Sequence, residues 1–492
     1  MTLRPFLLVS AMAVPGFLSA CSLAPDYKPP VVATPAAFKE DTGPWQPAKP
    51  SDDLPRGDWW RDYHDATLDG LEAKIDSDNP TLGLAAARYD QARAYAAQAN
   101  ASMFPFVSID ASSTRDRQSA ERPTRGANQP NQYGANTIDA QISYDFDFWG
   151  KIRNTVADAR AMSQASAADM EGVRLALHAE LASDYVNLRG LDAEAKLLND
   201  TVDAYGKAAT LTQNRYQGKI ASGIDVSRSQ SQLDSARALI SDVAADRALL
   251  EHAIASLVGQ PASSFALAPA VVTIGIPHIP LSLPSTLLQR RPDIAAAERQ
   301  TAAANAGIGV AEAAFYPDIS LSLMGGFQDT GSVNNLLMAP FSFWSLGPQL
   351  AAPLFEGGLR HAQEAGAYAV FDQASNQYRA TVLGAFQEVE DNLALLNHLG
   401  QEGQEEASAV AAAEHTANLS LDLYKNGALS YLDVVVAQTD ALQAERTQIA
   451  LNTRRLEASI HLIRALGGGW STALLPSSET AGTLSDKQAS RS

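Results

Sequence analysis

The chain has 492 residues, 55 acidic against 37 basic, a formal net charge of −18 and a pI near 4.8. That balance excludes the basic footprint of a nucleic-acid binder. No run of 18 or more apolar residues occurs, which excludes a membrane-crossing helix and leaves a closed β-barrel as the way to span a bilayer.

Residues 1–20 hold one basic residue, Arg4, then Phe6-Leu7-Leu8-Val9 and a small-residue end. This is a secretory signal, too short and too broken by Pro5 and Pro15 to span a membrane. It closes on Leu18-Ser19-Ala20-Cys21, which resembles the lipobox of bacterial lipoproteins. Cleavage is expected between Ala20 and Cys21, with a covalent lipid on the Cys21 thiol, palmitate among its acyl chains. Ser22 rather than an aspartate follows, which in such lipoproteins favours the outer membrane. Cys21 is the only cysteine, so no disulfide can form within one chain. Without residues 1–20 there are 36 basic and 55 acidic residues, a net charge of −19.

Residues 21–78 form a segment that leads to a first unit, 79–261. This unit opens with a helix over 79–104, N-capped by Asn79 with Pro80 in the first turn, and stops at Pro105. A strand over 105–115, a polar loop over 116–134 and a strand over 138–148 follow. In the second strand Ile138, Ala140, Ile142, Tyr144, Phe146 and Phe148 share one face. Asp139, Gln141, Ser143, Asp145 and Asp147 share the other. The length suits a tilted membrane strand, with the apolar face toward lipid and the acids toward a lumen. A proline-free helix spans 152–217, with heptad-like spacing at Leu175, Ala182, Leu188, Ala195 and Val202 that suggests a coiled coil. A turn near 218–223 and a helix over 224–258 complete the unit.

After a linker over 262–290 the pattern returns over 291–469. Pro80, Ala85, Ala92 and Pro105 match Pro292, Ala297, Ala304 and Pro317 at an offset of 212. Tyr216, Asp225, Val226, Gln230 and Gly259 match Tyr424, Asp433, Val434, Gln438 and Gly467 at 208. The second unit has strands over 317–328 and 341–355, a long helix over 359–424 and a helix over 431–466. Gly467-Gly468-Gly469 ends it, and 470–492 reads as a flexible tail. A 66-residue helix spans ~99 Å, which the two shorter helices of each unit match when stacked end to end. The fold class is α+β and mainly α, with two internal repeats. Four strands cannot close a barrel, so several chains must share one. Two chains give eight strands and three give twelve; only twelve leave an open bore, which makes a homotrimer the expected assembly.

Trp59-Trp60-Arg61-Asp62-Tyr63-His64-Asp65 and Arg290-Arg291-Pro292-Asp293-Ile294, followed by Ala313-Ala314-Phe315-Tyr316-Pro317, carry a resemblance. The chain resembles TolC/OprM-type outer-membrane efflux factors, in the NodT-like lipoprotein branch, from Cys21 to about Trp470. The resemblance implies a trimeric twelve-stranded outer-membrane barrel continuous with a periplasmic α-helical barrel. Its closed tip opens on assembly with a periplasmic adaptor and an inner-membrane transporter of the resistance-nodulation-division type. It also implies that Tyr424 bonds Asp225 to hold the tip shut, and that Asp433 forms a negative ring at the constriction. Leu429 stands where TolC has a tip arginine, and Val436 where it has a second acid. A helix-cap role for Asp225 and Asp433 is the plainer reading.

The histidines show no metal-ligand spacing, and no catalytic motif is present. The expectation is a channel, not an enzyme, with no cofactor beyond the lipid. A periplasm-spanning structural lipoprotein and a TolC-like duct for protein secretion are the alternatives.

Overall fold

The computed structural model describes residues 22–40, 57–121, 130–279, 284–331 and 336–483. The signal segment, Ala20 and Cys21 lie outside the described residues. Helix α1 (Ala66–Asp78) is followed by α2 (Pro80–Ala101), β1 (Phe106–Arg117), β2 (Gln132–Phe146), α3 (Lys151–Gln217) and α4 (Gly223–Leu257). A one-turn helix, α5 (Leu287–Arg290), precedes α6 (Pro292–Ala313), β3 (Asp318–Asp329), β4 (Ser342–Ala351), α7 (Leu359–Lys425) and α8 (Tyr431–Ala465). Helix lengths in the two halves agree residue for residue: 22, 67 and 35.

The long helices set the dimension of the molecule. Each of 67 residues spans ~100 Å, and the 35- and 22-residue helices together span ~86 Å. Those shorter helices are spliced end to end by one side chain in each half. Asn79 Oδ1 accepts from Thr81 N at 2.8 Å and Leu82 N at 3.0 Å, capping α2, while its Nδ2 donates to Leu257 O at 2.7 Å, capping the end of α4. Arg291, at the matching position, donates to Ala465 O at 3.1 Å, to Glu388 at 2.7 Å and to both oxygens of Asp293. Orphan carbonyls at a helix end need donors of this kind. The Arg-Pro-Asp stretch is thus a helix splice, and Gly467 exists for the same joint. Its φ is +96°, and a Cβ there would lie 2.2 Å from Arg290 O.

Two cores flank the splices. Trp59, Trp60, Tyr63 and the apolar face of α1 pack on Leu181, Tyr185 and Leu188 of α3. Phe38, Leu287 and Ile294 pack on Val382, Val389 and Leu393 of α7. Helix α1, inside the segment 21–78, has no sequence repeat to announce it; Asp65 caps it and accepts from the buried Tyr185 hydroxyl at 2.8 Å.

Several boundaries differ from the sequence reading. The first short helix stops at Ala101, and 102–104 make a turn before Pro105. Strands β1 and β2 reach Arg117 and back to Gln132, so both ends of the expected loop belong to the strands; its centre, 122–129, lies outside the described residues. Strand β4 ends at Ala351. The tail is a correction for 470–483, which is an ordered strap. Trp470 is buried against Ala168, Ala295 and Ala296. Ser163 Oγ donates to Ala481 O at 2.9 Å, and Arg93 Nε to Thr483 O at 3.0 Å. Polarity misled the reading, because the strap is held by its backbone carbonyls.

Candidate functional site

The four strands form one antiparallel sheet in the order β1-β2-β3-β4. Cross-strand partners share a face, so the register assigns every side chain. Ile109 faces Ala140, Ala111 faces Ile138, and Val107 faces Ile142. Ile142 then faces Leu323, Tyr144 faces Leu321, and Phe146 faces Ile319. Ile319 faces Leu350, Leu323 faces Leu346, and Gly325 faces Trp344. One apolar face therefore runs unbroken across all four strands. It is bare: Ile109 is 75% exposed, Trp344 77% and Leu350 67%. The other face carries Asp139 opposite both Asp110 and Gly326, and Asp145 opposite Ser320. Asp110, absent from the sequence reading, puts a second carboxylate beside Asp139.

Aromatic rings gather where the sheet meets the helices. Tyr144 and Phe146 lie edge to face at 5.2 Å, Phe146 stacks on Phe148 at 5.7 Å, and Trp149 stacks on Tyr316 at 4.6 Å. Asp147 and Phe148 fall beyond β2, and this corrects their expected strand positions. The Asp147 carboxylate accepts from Ile152 N at 3.0 Å and Arg153 N at 2.9 Å, and pairs with Arg153 Nε at 3.0 Å. It caps α3, because Gly150 at φ +79° turns the chain out of the strand. Ser22 is held here too, its Oγ donating to Asn154 Oδ1 at 2.9 Å. The extended segment behind it then runs away from the sheet, with Tyr27 on Glu298 at 2.7 Å and Lys39 N on Glu390 at 2.8 Å.

The helical tips lie at the far end of α3 and α7. Asp225 closes a capping box with Ser222: it accepts from Ser222 Oγ at 2.8 Å, and Asp225 N donates back to that hydroxyl. Asp433 does the same with Ser430, at 2.6 Å. Both acids serve as helix caps. Asp433 is exposed and Leu429 half-buried. The expected Tyr424–Asp225 bond is not formed within the chain. Asp225 is committed to its cap, and the Tyr424 hydroxyl is buried without a hydrogen-bond partner. The Tyr424 ring lies instead 4.7 Å from the Arg215 guanidinium and 5.2 Å from Tyr431. Burial pushes the Tyr431 phenol up to about 12, and its hydroxyl faces Thr212 and Ser229. Arg215 donates to the carbonyls of Tyr424 at 3.0 Å and Lys425 at 3.1 Å. Nothing in the sequence but a basic residue one turn from a helix end marks it, and its partners lie 209 and 210 residues away.

Among the described residues no helix is long and apolar enough to cross a membrane, and no group of three or more His, Cys, Asp or Glu side chains could hold a metal.

Comparisons with known proteins agree with this geometry. The model of the outer membrane efflux protein family matches residues 73–260 and 283–468. The probable efflux pump outer membrane protein TtgC of Pseudomonas putida is 30% identical over 94% of this chain and 95% of its own. Nodulation protein T of Rhizobium leguminosarum bv. trifolii is 29% identical over 92% of this chain and 95% of its own. Among solved structures, the outer-membrane channel OprN superposes with a TM-score of 0.83 at 27% identity, covering 92% of this chain and 100% of that one. The outer membrane protein VceC of Vibrio cholerae gives 0.77 at 31%, covering 84% and 99%.

Proposed function

The chain belongs to the outer membrane efflux protein family, and from that premise we propose that it is the passive exit duct of a tripartite pump, built as a homotrimer. It is an outer-membrane channel component. Small toxic compounds enter from a periplasmic adaptor and an inner-membrane transporter, of the resistance-nodulation-division type, and leave to the exterior. It conducts and does not catalyse, needing no cofactor beyond a lipid on Cys21.

The observation that carries this reading is the bare apolar face on a sheet whose outer strands, among the described residues, each pair on one side only, continuous with ~100 Å helices. An open edge is intolerable in lipid. Strands β1 and β4 run in opposite directions, so β4 of one copy can pair antiparallel with β1 of the next. Three copies close twelve strands, with Asp139 and Asp145 lining the lumen and Ile138, Ile142, Tyr144 and Phe146 facing lipid. The attachment of Ser22 beside the sheet's lower end supports a lipid anchor at the membrane surface. At the other end the two tip turns close the duct, with Leu429 and Asp433 at the constriction, until the adaptor engages them.

The test is ethidium retention in the cell that makes the protein. Deletion of the gene is expected to raise retention several-fold, with restoration by wild type and none by Cys21→Ala carrying its uncleaved signal. Unchanged retention after deletion, with no other export defect, contradicts the proposal.

A further inference from the structure

Residues 265–279, between the two units, cross the long helices with no helix or strand of their own. Three side chains fasten the crossing. Arg247 donates to Leu267 O at 2.6 Å, Arg189 donates to Ala268 O at 3.0 Å, and Asp192 accepts from Ala270 N at 3.0 Å. Beyond Ala270 the segment forms one wall of a cleft of about 590 Å³, whose other walls are α3 and α8. That volume suits a small molecule. At Arg189 the cleft lies ~57 Å from the start of α3 and ~42 Å from its end, remote from both the sheet and the tips.

The lining departs from the character of the chain. The chain carries 55 acidic against 37 basic residues, yet among the described residues no acid lines this cleft and two arginines do. Arg189 is already matched. It is buried, pairs with Asp192 at 2.8 Å, and lies 4.9 Å from the Tyr185 ring. Asp192 also pairs with Arg247 at 2.7 Å, and Arg247 with Glu251, so two cations there balance two anions. Arg455 on α8 is different. It is half-buried and forms no hydrogen bond or ion pair among the described residues, and its Nε is buried without a partner. Its Nη1 sits beside Gly403 of α7, 3.5 Å from where a Cβ would be, and that position has no side chain to answer it. A cation drawn partly out of water without a partner is costly. The opposite wall is apolar and open: Val271 is 57% exposed, Val272 42% and Ile276 38%. Thr273, Asn452 and Thr453 add hydrogen-bonding groups.

We infer that this cleft binds a small amphipathic organic monoanion, a carboxylate or sulfonate on an apolar ring or chain, with Arg455 holding the head and the Val271–Ile276 wall covering the body. One uncompensated cation selects one negative charge. A guanidinium meets such a head with paired, charge-assisted hydrogen bonds. An inorganic anion would leave the apolar wall in water, and a neutral hydrocarbon would leave Arg455 unpaired, so neither matches both sides. The inference stands apart from the duct reading, since one chain supplies the whole cleft.

Calorimetric titration of 2-naphthalenesulfonate into the full-length lipidated protein in phosphatidylcholine nanodiscs tests it, with empty discs as the blank. Saturable binding of one probe per chain is expected below ~1 mM. The neutral 2-naphthalenesulfonamide is expected to bind about tenfold more weakly or worse, for want of the charge-assisted bonds. Arg455→Met should weaken the sulfonate to the same degree. Val272→Asp should do likewise, by placing an acid on the exposed wall without touching a buried contact, and it decides alone if Arg455→Met does not assemble. Arg454→Met, an exposed neighbour outside the cleft, should leave binding unchanged. No saturable binding up to ~1 mM overturns the inference. So does equal affinity for the sulfonamide, or wild-type affinity in an assembled Arg455→Met or in Val272→Asp. An equal loss in Arg454→Met also overturns it, since the probe then reports diffuse surface charge.

Discussion

Asp147 joins the sheet to the long helix, and its loss leaves two first-turn amides and Arg153 without their carboxylate. Asp147→Ala is expected to cost about 1–2 kcal/mol, as for other lost N-terminal caps, read as an earlier midpoint in denaturant. The sequence placed Asp147 and Phe148 in the strand because both keep its alternation. Gly150 and the cap end the strand, and neither interrupts a period-2 pattern. Asn79 was legible because its cap is local. Arg215 was not, because its partners are remote in the chain. Asp184 on α3 offers a pH test. Burial first, then Glu180 and Glu457, raise its carboxyl to about 6, above the ordinary value of 3.8. The folded state therefore penalises the charged form, fully above pH 6 and not at all below 3.8. Asp184→Asn should raise the melting temperature at pH 7.5, with the gain shrinking as pH falls through 6. A gain that grows toward acid pH would contradict the assignment.

The long and medium helices were legible almost to the residue, and Pro80, Pro292 and the Ser-x-x-Asp boxes at Ser222 and Ser430 mark helix starts, whereas α1 was not legible and the first short helix stops at Ala101. Their lateral pairing was not legible, because it depends on side-chain absences. At Gly190 a methyl group would meet Thr453, so Gly190→Ala should lower the melting temperature and Thr453→Ala should restore part of it. Independent, additive effects of the two changes would show that α3 and α8 do not meet there. In the sheet, a Cβ on Gly326 would lie 2.1 Å from Ile138 O and 2.6 Å from the Asp139 Cα. Backbone cannot yield as a side chain can. Gly326→Ala is expected to unpair β2 from β3 and abolish the detergent-resistant oligomer, whose persistence would contradict the register.

At the scale of the whole molecule, the described residues leave the apolar sheet face exposed and β1 and β4 each paired on one side only, while the helices form a tall wall. The alternation within single strands was legible in the sequence. The continuity of the apolar face was not, because it depends on the register of four strands drawn from two halves of the chain. The same register brings Asp110 beside Asp139 on the polar face that also carries Asp145, and in the proposed trimer these acids would line the lumen. The most direct test of the duct is the ionic current through the purified, lipidated protein in a planar bilayer under a salt gradient. A trimeric duct is expected to give discrete small-conductance steps, with a reversal potential on the cation-selective side. A folded helical oligomer that never produces steps would contradict it.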